Sequence, residues 1–271
     1  MSLTLRFPGR ITHWLLTALL GGGLLAGAPS YADDVQGADD SLPNMLGVGV
    51  IHLPRWQGAR VHRDQLAPYI EVELDDRLTL STDDGVTLDL IHAERLHGGL
   101  FGNYQWGRSR EDLGSRLGGI VNSLSPRLNA GGYVEYDLNK AQNLGVTLSH
   151  DTQGAGVYLN MYAVTGLPPL GSYQHSLQLQ LQSMNGPAMR RFFGLTPAQA
   201  TQLGVNAWRP GAGAQQMALE YDAMIPLGDS LAAVFSLNFA RLLGDAADSP
   251  LVRYYGSPYQ FTGSLALVYR F

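Results

Sequence analysis

Ser149-His150-Asp151 places a hydroxyl, an imidazole and a carboxylate side by side, the side chains from which a hydrolytic nucleophile is built. The spacing argues against that use. Around them Leu144, Val146 and Leu148 alternate with Gly145, Thr147 and Ser149, the period of a β-strand, on which neighbours point to opposite faces. Ser149 therefore cannot reach His150, and no Gly-x-Ser-x-Gly elbow occurs elsewhere. His52, His62, His92, His97 and His175 lack metal-ligand spacing; His92 and His97, five apart on or near a strand, are too thin a pattern. Gly98-Gly99-Leu100-Phe101-Gly102 has no Lys or helix after it and is no phosphate loop. The absence of Cys removes thiol chemistry and disulfides. The chain reads as non-enzymatic, with no cofactor and no resident metal. A net charge of -5 leaves no basic field for nucleic acid.

Carboxylates are the remaining chemistry. Glu71, Glu73, Asp89, Glu135, Asp137, Glu220 and Asp222 fall on the less greasy face of alternating segments, with only Arg77 and Arg270 as bases on that face. Lining a pore, such acids favour cations; the plainer reading pairs them with Arg residues from loops or neighbouring strands inside a filled interior. The stretch 244–259 carries Gly244, Asp245, Asp248, Ser249 and Pro250, then Arg253 and three tyrosines. Its acids could hold a divalent cation that bridges lipopolysaccharide, but Gly-Asp and Ser-Pro are turn and cap formers first. In 185–212, Arg190 and Arg191 could meet lipid phosphate, solvent or lumen acids. Thr196 and Pro197 there are placed as N-cap and first residue of a short helix through Gln202.

The elements that must position these residues are strands. Alternation predicts about twelve, at 45–53, 66–74, 77–83, 86–93, 96–107, 127–138, 143–151, 155–164, 174–184, 213–225, 230–243 and 260–271. Several have roughly the 9–11 residues that cross a bilayer when tilted. Long connections at 54–65, 108–126, 185–212 and 244–259 each follow an odd-numbered strand; connections after even-numbered strands are short, 165–173 excepted. That asymmetry belongs to a bacterial outer-membrane barrel with periplasmic turns and external loops. A soluble sandwich or lipocalin-like barrel also alternates, but carries charge on its outer face. Here the polar face is mostly Gln, Ser, Asn and Gly, and charged residues are only 15% of the chain. The expected fold is all-β: a closed, transmembrane, antiparallel β-barrel over 44–271. Trp56, Trp106, Tyr162, Tyr173, Trp208, Tyr254 and Phe271 are the expected interfacial girdles.

Ahead of the barrel, Arg6 and Arg10 precede an uncharged apolar run, Ile11–Gly27, and Ser30-Tyr31-Ala32 offers small residues at the two positions a signal peptidase reads. Residues 1–32 are expected to be removed after Ala32, exporting the chain, with 33–43 as a polar tail. At the other end Leu265, Leu267, Tyr269 and Phe271 form one greasy face closing on a terminal Phe. That pattern resembles the signal read by the outer-membrane barrel assembly machinery.

Phe192-Phe193-Gly194-Leu195-Thr196-Pro197, Leu242-Leu243-Gly244-Asp245-Ala246-Ala247-Asp248-Ser249-Pro250-Leu251-Val252 and Leu267-Val268-Tyr269-Arg270-Phe271 resemble the MipA/OmpV family. Gly47-Val48-Gly49-Val50, Tyr104-Gln105-Trp106-Gly107-Arg108 and Ala130-Gly131-Gly132 extend the resemblance along the barrel. It implies an outer-membrane barrel in contact with lipid and lipopolysaccharide. It also implies a scaffold joining a murein lytic transglycosylase to a murein synthase, with adhesin-like roles in other members. It brings no catalytic residues. The alternatives are a small cation-favouring pore and, last, a lipid hydrolase.

Overall fold

The computed structural model describes residues 44–75, 77–82 and 84–271; the signal segment, its cleavage point at Ala32 and the 33–43 tail lie outside the described residues. Twelve antiparallel strands form one closed barrel. They are β1 (Met45–Pro54), β2 (His62–Asp75), β3 (Leu78–Ser81), β4 (Gly85–His92), β5 (Leu96–Gln105), β6 (Arg127–Asn139), β7 (Gln142–Asp151), β8 (Val157–Gly166), β9 (Gln174–Met184), β10 (Gly213–Pro226), β11 (Leu231–Leu242) and β12 (Tyr259–Arg270). Each strand pairs with its sequence neighbours, and β1 meets β12 from Met45↔Arg270 to His52↔Gly263. Closure gives the backbone partners that lipid cannot supply, which is why strands cross membranes only as barrels.

The period-two pattern is what orients every strand. Leu265, Leu267 and Tyr269 stand exposed while Ala266 and Val268 are buried. Leu46, Val48 and Val50 on β1 and Leu144, Val146 and Leu148 on β7 repeat the arrangement. Exposed apolar side chains around a closed barrel are the lipid face of a membrane barrel. Phe271 follows on the same exposed face, and its N–H donates to the Asn44 carbonyl at 2.9 Å. No helix among the described residues is long and apolar enough to cross a membrane.

Two expected segments shift. β2 begins at His62, not 66, because the polar run Arg63-Asp64-Gln65 still pairs with β1. β3 ends at Ser81. Arg77 is not an inward base: it is exposed in the turn before β3, where Asp75 Oδ1 accepts the N–H groups of both Arg77 and Leu78 at 2.8 Å.

The connections after β5, β9 and β11 are helical: α1 (Arg110–Leu117), α2 (Gly186–Phe193), α3 (Pro197–Leu203), α4 (Gly244–Asp248) and α5 (Pro250–Tyr255). The helix expected at 197–202 is α3, with Thr196 capping Gln199 N–H and Pro197 in its first turn. The other four lie outside the alternation that placed the strands. Together these connections form a lid across one mouth of the barrel, the extracellular one by the loop-length rule. The lid has its own apolar core: Trp56, Leu113, Leu117, Met189, Phe193, Leu251 and Val252 are buried there.

Candidate functional site

The barrel interior and the lid above it gather nearly all the buried polar chemistry. The expected acids do face inward: Glu71, Asp89, Glu135, Glu220 and Asp222 are buried, and Glu73 and Asp137 half-buried. Among the described residues, several of them meet neutral donors. Glu135 on β6, Gly145 on β7 and Tyr162 on β8 lie in line across three strands. The phenol reaches over the glycine and donates to Glu135 Oε1 at 2.6 Å. A Cβ at position 145 would overlap the Tyr162 ring, so glycine is what clears the path. The same line recurs one step back as Asp89 on β4, Gly99 on β5 and Tyr133 on β6, with the Tyr133 hydroxyl donating to Asp89. On the far side Asn238 and Gln180 donate to Glu220 Oε2 at 2.7 and 3.3 Å. His97 Nε2 lies 3.1 Å from Asp137 Oδ2. Arg270 turns away to the Gly228 and Asp229 carbonyls.

The wall made by β10, β11, β12, β1 and β2 is different. Met45, Tyr69, Met224, Ala232, Val234, Ala266 and Val268 form an apolar cluster on its inner face. The tyrosine–acid lines thus belong to β4–β8, while the opposite wall sets an apolar cluster among Glu71, Glu73, Glu220 and Asp222.

The arginines serve the lid. Arg191 on α2 inserts between Asp151, Tyr158 and Gln105, with its Nη2 2.7 Å from Gln105 Oε1. Asp151, at the lid end of β7, is fully buried and also lies 3.5 Å from Arg127. Arg63 on β2 pairs with Asp112 on α1 at 2.5 Å. Arg108 bonds the Phe192 and Asn122 carbonyls at 2.9 and 3.3 Å, tying the two longest loops together. Burial pulls its guanidinium down to about 10, still cationic at neutral pH.

The family-motif loop is built into this lid. Gly244 has a positive φ of 45°, and Asp245 Oδ2 accepts the Gly211 N–H at 2.7 Å. Ser249 caps α5 through Leu251 N–H and donates to the Phe193 carbonyl at 2.7 Å. Pro250 opens α5, and Asp248 is exposed. No group of three His, Asp or Glu among the described residues could hold a metal ion.

Three aromatics leave the expected girdle. Tyr162 points inward to Glu135, Trp56 is buried in the lid core, and Trp208 packs against that core and donates to the Asp245 carbonyl. Trp106, Tyr173, Tyr254 and Phe271 are exposed as expected. Ser149 and Asp151 face inward while His150 faces out, so the three do not converge; Asp151 holds Arg191 instead. His92 and His97 are opposite each other in the β4–β5 ladder. The Arg63–Asp112 and Arg191–Asp151 pairs were beyond reach of spacing, although Ser109-x-x-Asp112 is a capping box that marks the start of α1.

Residues 46–271 match the family model described as MltA-interacting protein MipA. No curated protein matches the chain. Among solved structures, one described as a bacterial polysaccharide outer membrane secretin is 10% identical, covers 84% of this chain and 98% of its own, and has a TM-score of 0.40. The NanC porin is 8% identical over 84% of this chain and 100% of its own, with a TM-score of 0.38. Pseudomonas aeruginosa OprD is 10% identical over 84% of this chain and 94% of its own, with a TM-score of 0.28. Likenesses this distant say nothing of solute or partner.

Proposed function

The chain belongs to the MipA family, and from that premise we propose that this outer-membrane barrel is a non-enzymatic scaffold of the cell envelope that brings a murein lytic transglycosylase together with a murein synthase. The observation that supports this most is the lid. Its buried core, with Phe193 and Val252 fully enclosed, closes one mouth of the barrel. A packed core does not open for solute without losing the contacts that form it, so the work falls to surfaces. The contacts with periplasmic enzymes would run through turns between even and odd strands, such as Asn139 to Gln142, or through the 33–43 tail.

The test is a crosslinked pull-down from native envelopes. A lytic transglycosylase recovered with the barrel, and lost when 139–142 is replaced by an unrelated turn, is the expected result; recovery of no murein enzyme overturns the reading. The buried acids support a second reading, a cation-favouring pore. It requires discrete conductance in planar bilayers that falls in Glu135→Gln and Glu220→Gln, whereas the scaffold reading expects the wild-type protein to be silent. Lipopolysaccharide contact at the lid rim, and reading of Leu265, Leu267, Tyr269 and Phe271 by the barrel assembly machinery, belong to the same proposal.

A further inference from the structure

The lid end of the barrel uses its arginines in two ways. Those turned to the wall are paired: Arg63 with Asp112, and Arg127 and Arg191 with Asp151. Four others gather about α5 and the segment that follows it. Arg253 is on α5 itself. Arg60, from the β1–β2 loop, donates through Nε to the Gly256 carbonyl at the end of α5. Arg116 of α1 lies over the Tyr255 ring, 4.9 Å from its centroid, and Arg241 of β11 lies 5.6 Å from the centroid of Tyr259. All four are exposed, and among the described residues none has a carboxylate within 4 Å. One carbonyl and two rings hold three of these side chains in place without neutralising them.

Strand register sets the height of this patch. On the outward face of β11, Phe235, Leu237 and Phe239 lead up to Arg241; on β12, Tyr259 comes before Phe261 and Leu265. Phe239 pairs with Phe261, and two residues nearer the lid Arg241 pairs with Tyr259. The Phe239 and Phe261 rings, 5.0 Å apart, end the lipid-facing column. Arg241 and Tyr259 begin the next layer, about 7 Å further along the strands at roughly 3.3 Å per residue. In a membrane barrel the layer where the apolar band gives way to aromatic rings and charge lies among the lipid headgroups. With the lid outward, those headgroups belong to lipopolysaccharide. The charge there is all guanidinium: the chain's single lysine, Lys140, lies in the β6–β7 turn at the other end. A guanidinium presents the planar fork of donors that matches two phosphate oxygens.

We propose that Arg60, Arg116, Arg241 and Arg253 form a docking surface for the phosphorylated headgroup of lipopolysaccharide, held by direct arginine–phosphate contact rather than through a divalent cation. Charge complementarity selects this occupant, since cations without carboxylate partners stand at the depth where the apolar band ends and phosphate begins. The acids of the 244–259 loop are not needed for it; Asp245 accepts the Gly211 N–H. The proposal rests on the outward lid and on the lipopolysaccharide contact proposed above, and not on the murein scaffold.

The test titrates the full barrel in neutral detergent with lipopolysaccharide, and with the same material after dephosphorylation, and reads the temperature at which the folded form converts on a gel. A rise with the phosphorylated form alone is the expected result. Arg241→Gln combined with Arg253→Gln should weaken that binding about tenfold. Arg253→Gln alone serves if the double variant does not reach the folded, heat-modifiable form. Unchanged binding in these variants overturns the proposal. Equal rises with both forms reduce the contact to acyl chains; they overturn the arginine site and leave the lipopolysaccharide contact standing. No rise with either form removes both. A rise that EDTA abolishes gives the contact to a bridging cation, and one that phosphatidylglycerol reproduces gives it to any phosphate-bearing lipid; each overturns the proposal.

Discussion

Asp151 and Glu135 are both fully buried carboxylates on neighbouring strands, yet they are held differently. Asp151, under the lid, meets the guanidinium of Arg191. Glu135, deeper in the barrel, meets the phenol of Tyr162. Asp112 and Asp89 repeat the contrast, one with Arg63 and the other with Tyr133. Among the described residues, the Arg–carboxylate pairs lie at the lid–wall seam, where loops from different strands must be registered. The tyrosine–carboxylate bonds lie in the continuous wall, where backbone pairing already sets the register. The lid is a small soluble-like core latched onto a membrane barrel, and the two should fail separately.

The largest expected effect is in the lid core. Phe193→Ala removes a fully buried ring and should cost about 3–5 kcal/mol. The cost should appear as an early denaturant transition in the fluorescence of Trp56 and Trp208, both packed in the lid, with strand circular dichroism unchanged. A single transition shared by both signals breaks the separation of lid and barrel.

Arg191→Ala comes next. It strips Asp151 of its main partner while Arg127 remains at 3.5 Å. A buried pair broken on one side loses several kcal/mol; with Arg127 left and Arg191 15% exposed, about 2–3 is expected. Asp151→Leu added to Arg191→Met should recover most of it, because the pair is then replaced rather than broken. If the lid is what silences the barrel, Arg191→Ala should show conductance in planar bilayers that the wild type lacks.

In the wall, Tyr162→Phe should cost about 1 kcal/mol, the scale of one buried hydrogen bond. It should lower the temperature at which the folded barrel converts on a gel and leave the lid transition in place. Gly145→Ala should cost at least as much, because the new methyl meets the Tyr162 ring. Loss of the lid transition in Tyr162→Phe would tie wall and lid into one unit.

The wall was legible in the sequence and the lid was not, for one physical reason. A strand announces its two faces every second residue, so Glu135 and Glu220 could be placed inward from alternation alone. The partners of those acids needed register: Tyr162 comes opposite Glu135 only because Gly145 intervenes on β7, a relation no local pattern contains. The lid helices are five to eight residues long, too short to hold without tertiary contact and too short to show a helical period. Thr196-Pro197 betrayed α3 because capping is local chemistry. The buried Trp56 and Tyr162 and the half-buried Trp208 looked like girdle residues since position near a strand end does not say which way a ring turns.

The smallest expected effect separates capping from cation binding within the 244–259 loop. Ser249 is fully buried, and its hydroxyl accepts the Leu251 N–H at the start of α5 and donates to the Phe193 carbonyl. Ser249→Ala should lower lid stability by about 1–2 kcal/mol, within the range for a lost cap and a buried hydrogen bond. Asp245 accepts one backbone N–H, from Gly211, and asparagine keeps an acceptor oxygen there. Asp245→Asn and Asp248→Asn should each change the lid midpoint by less than about 0.5 kcal/mol, and chelating divalent ions should not move the wild-type midpoint. A chelator that lowers the wild-type lid as far as Ser249→Ala does, and has no effect on Asp245→Asn, would give the acids a cation to hold. The seam between lid and wall would then owe part of its strength to an ion rather than to Arg191 and Arg63.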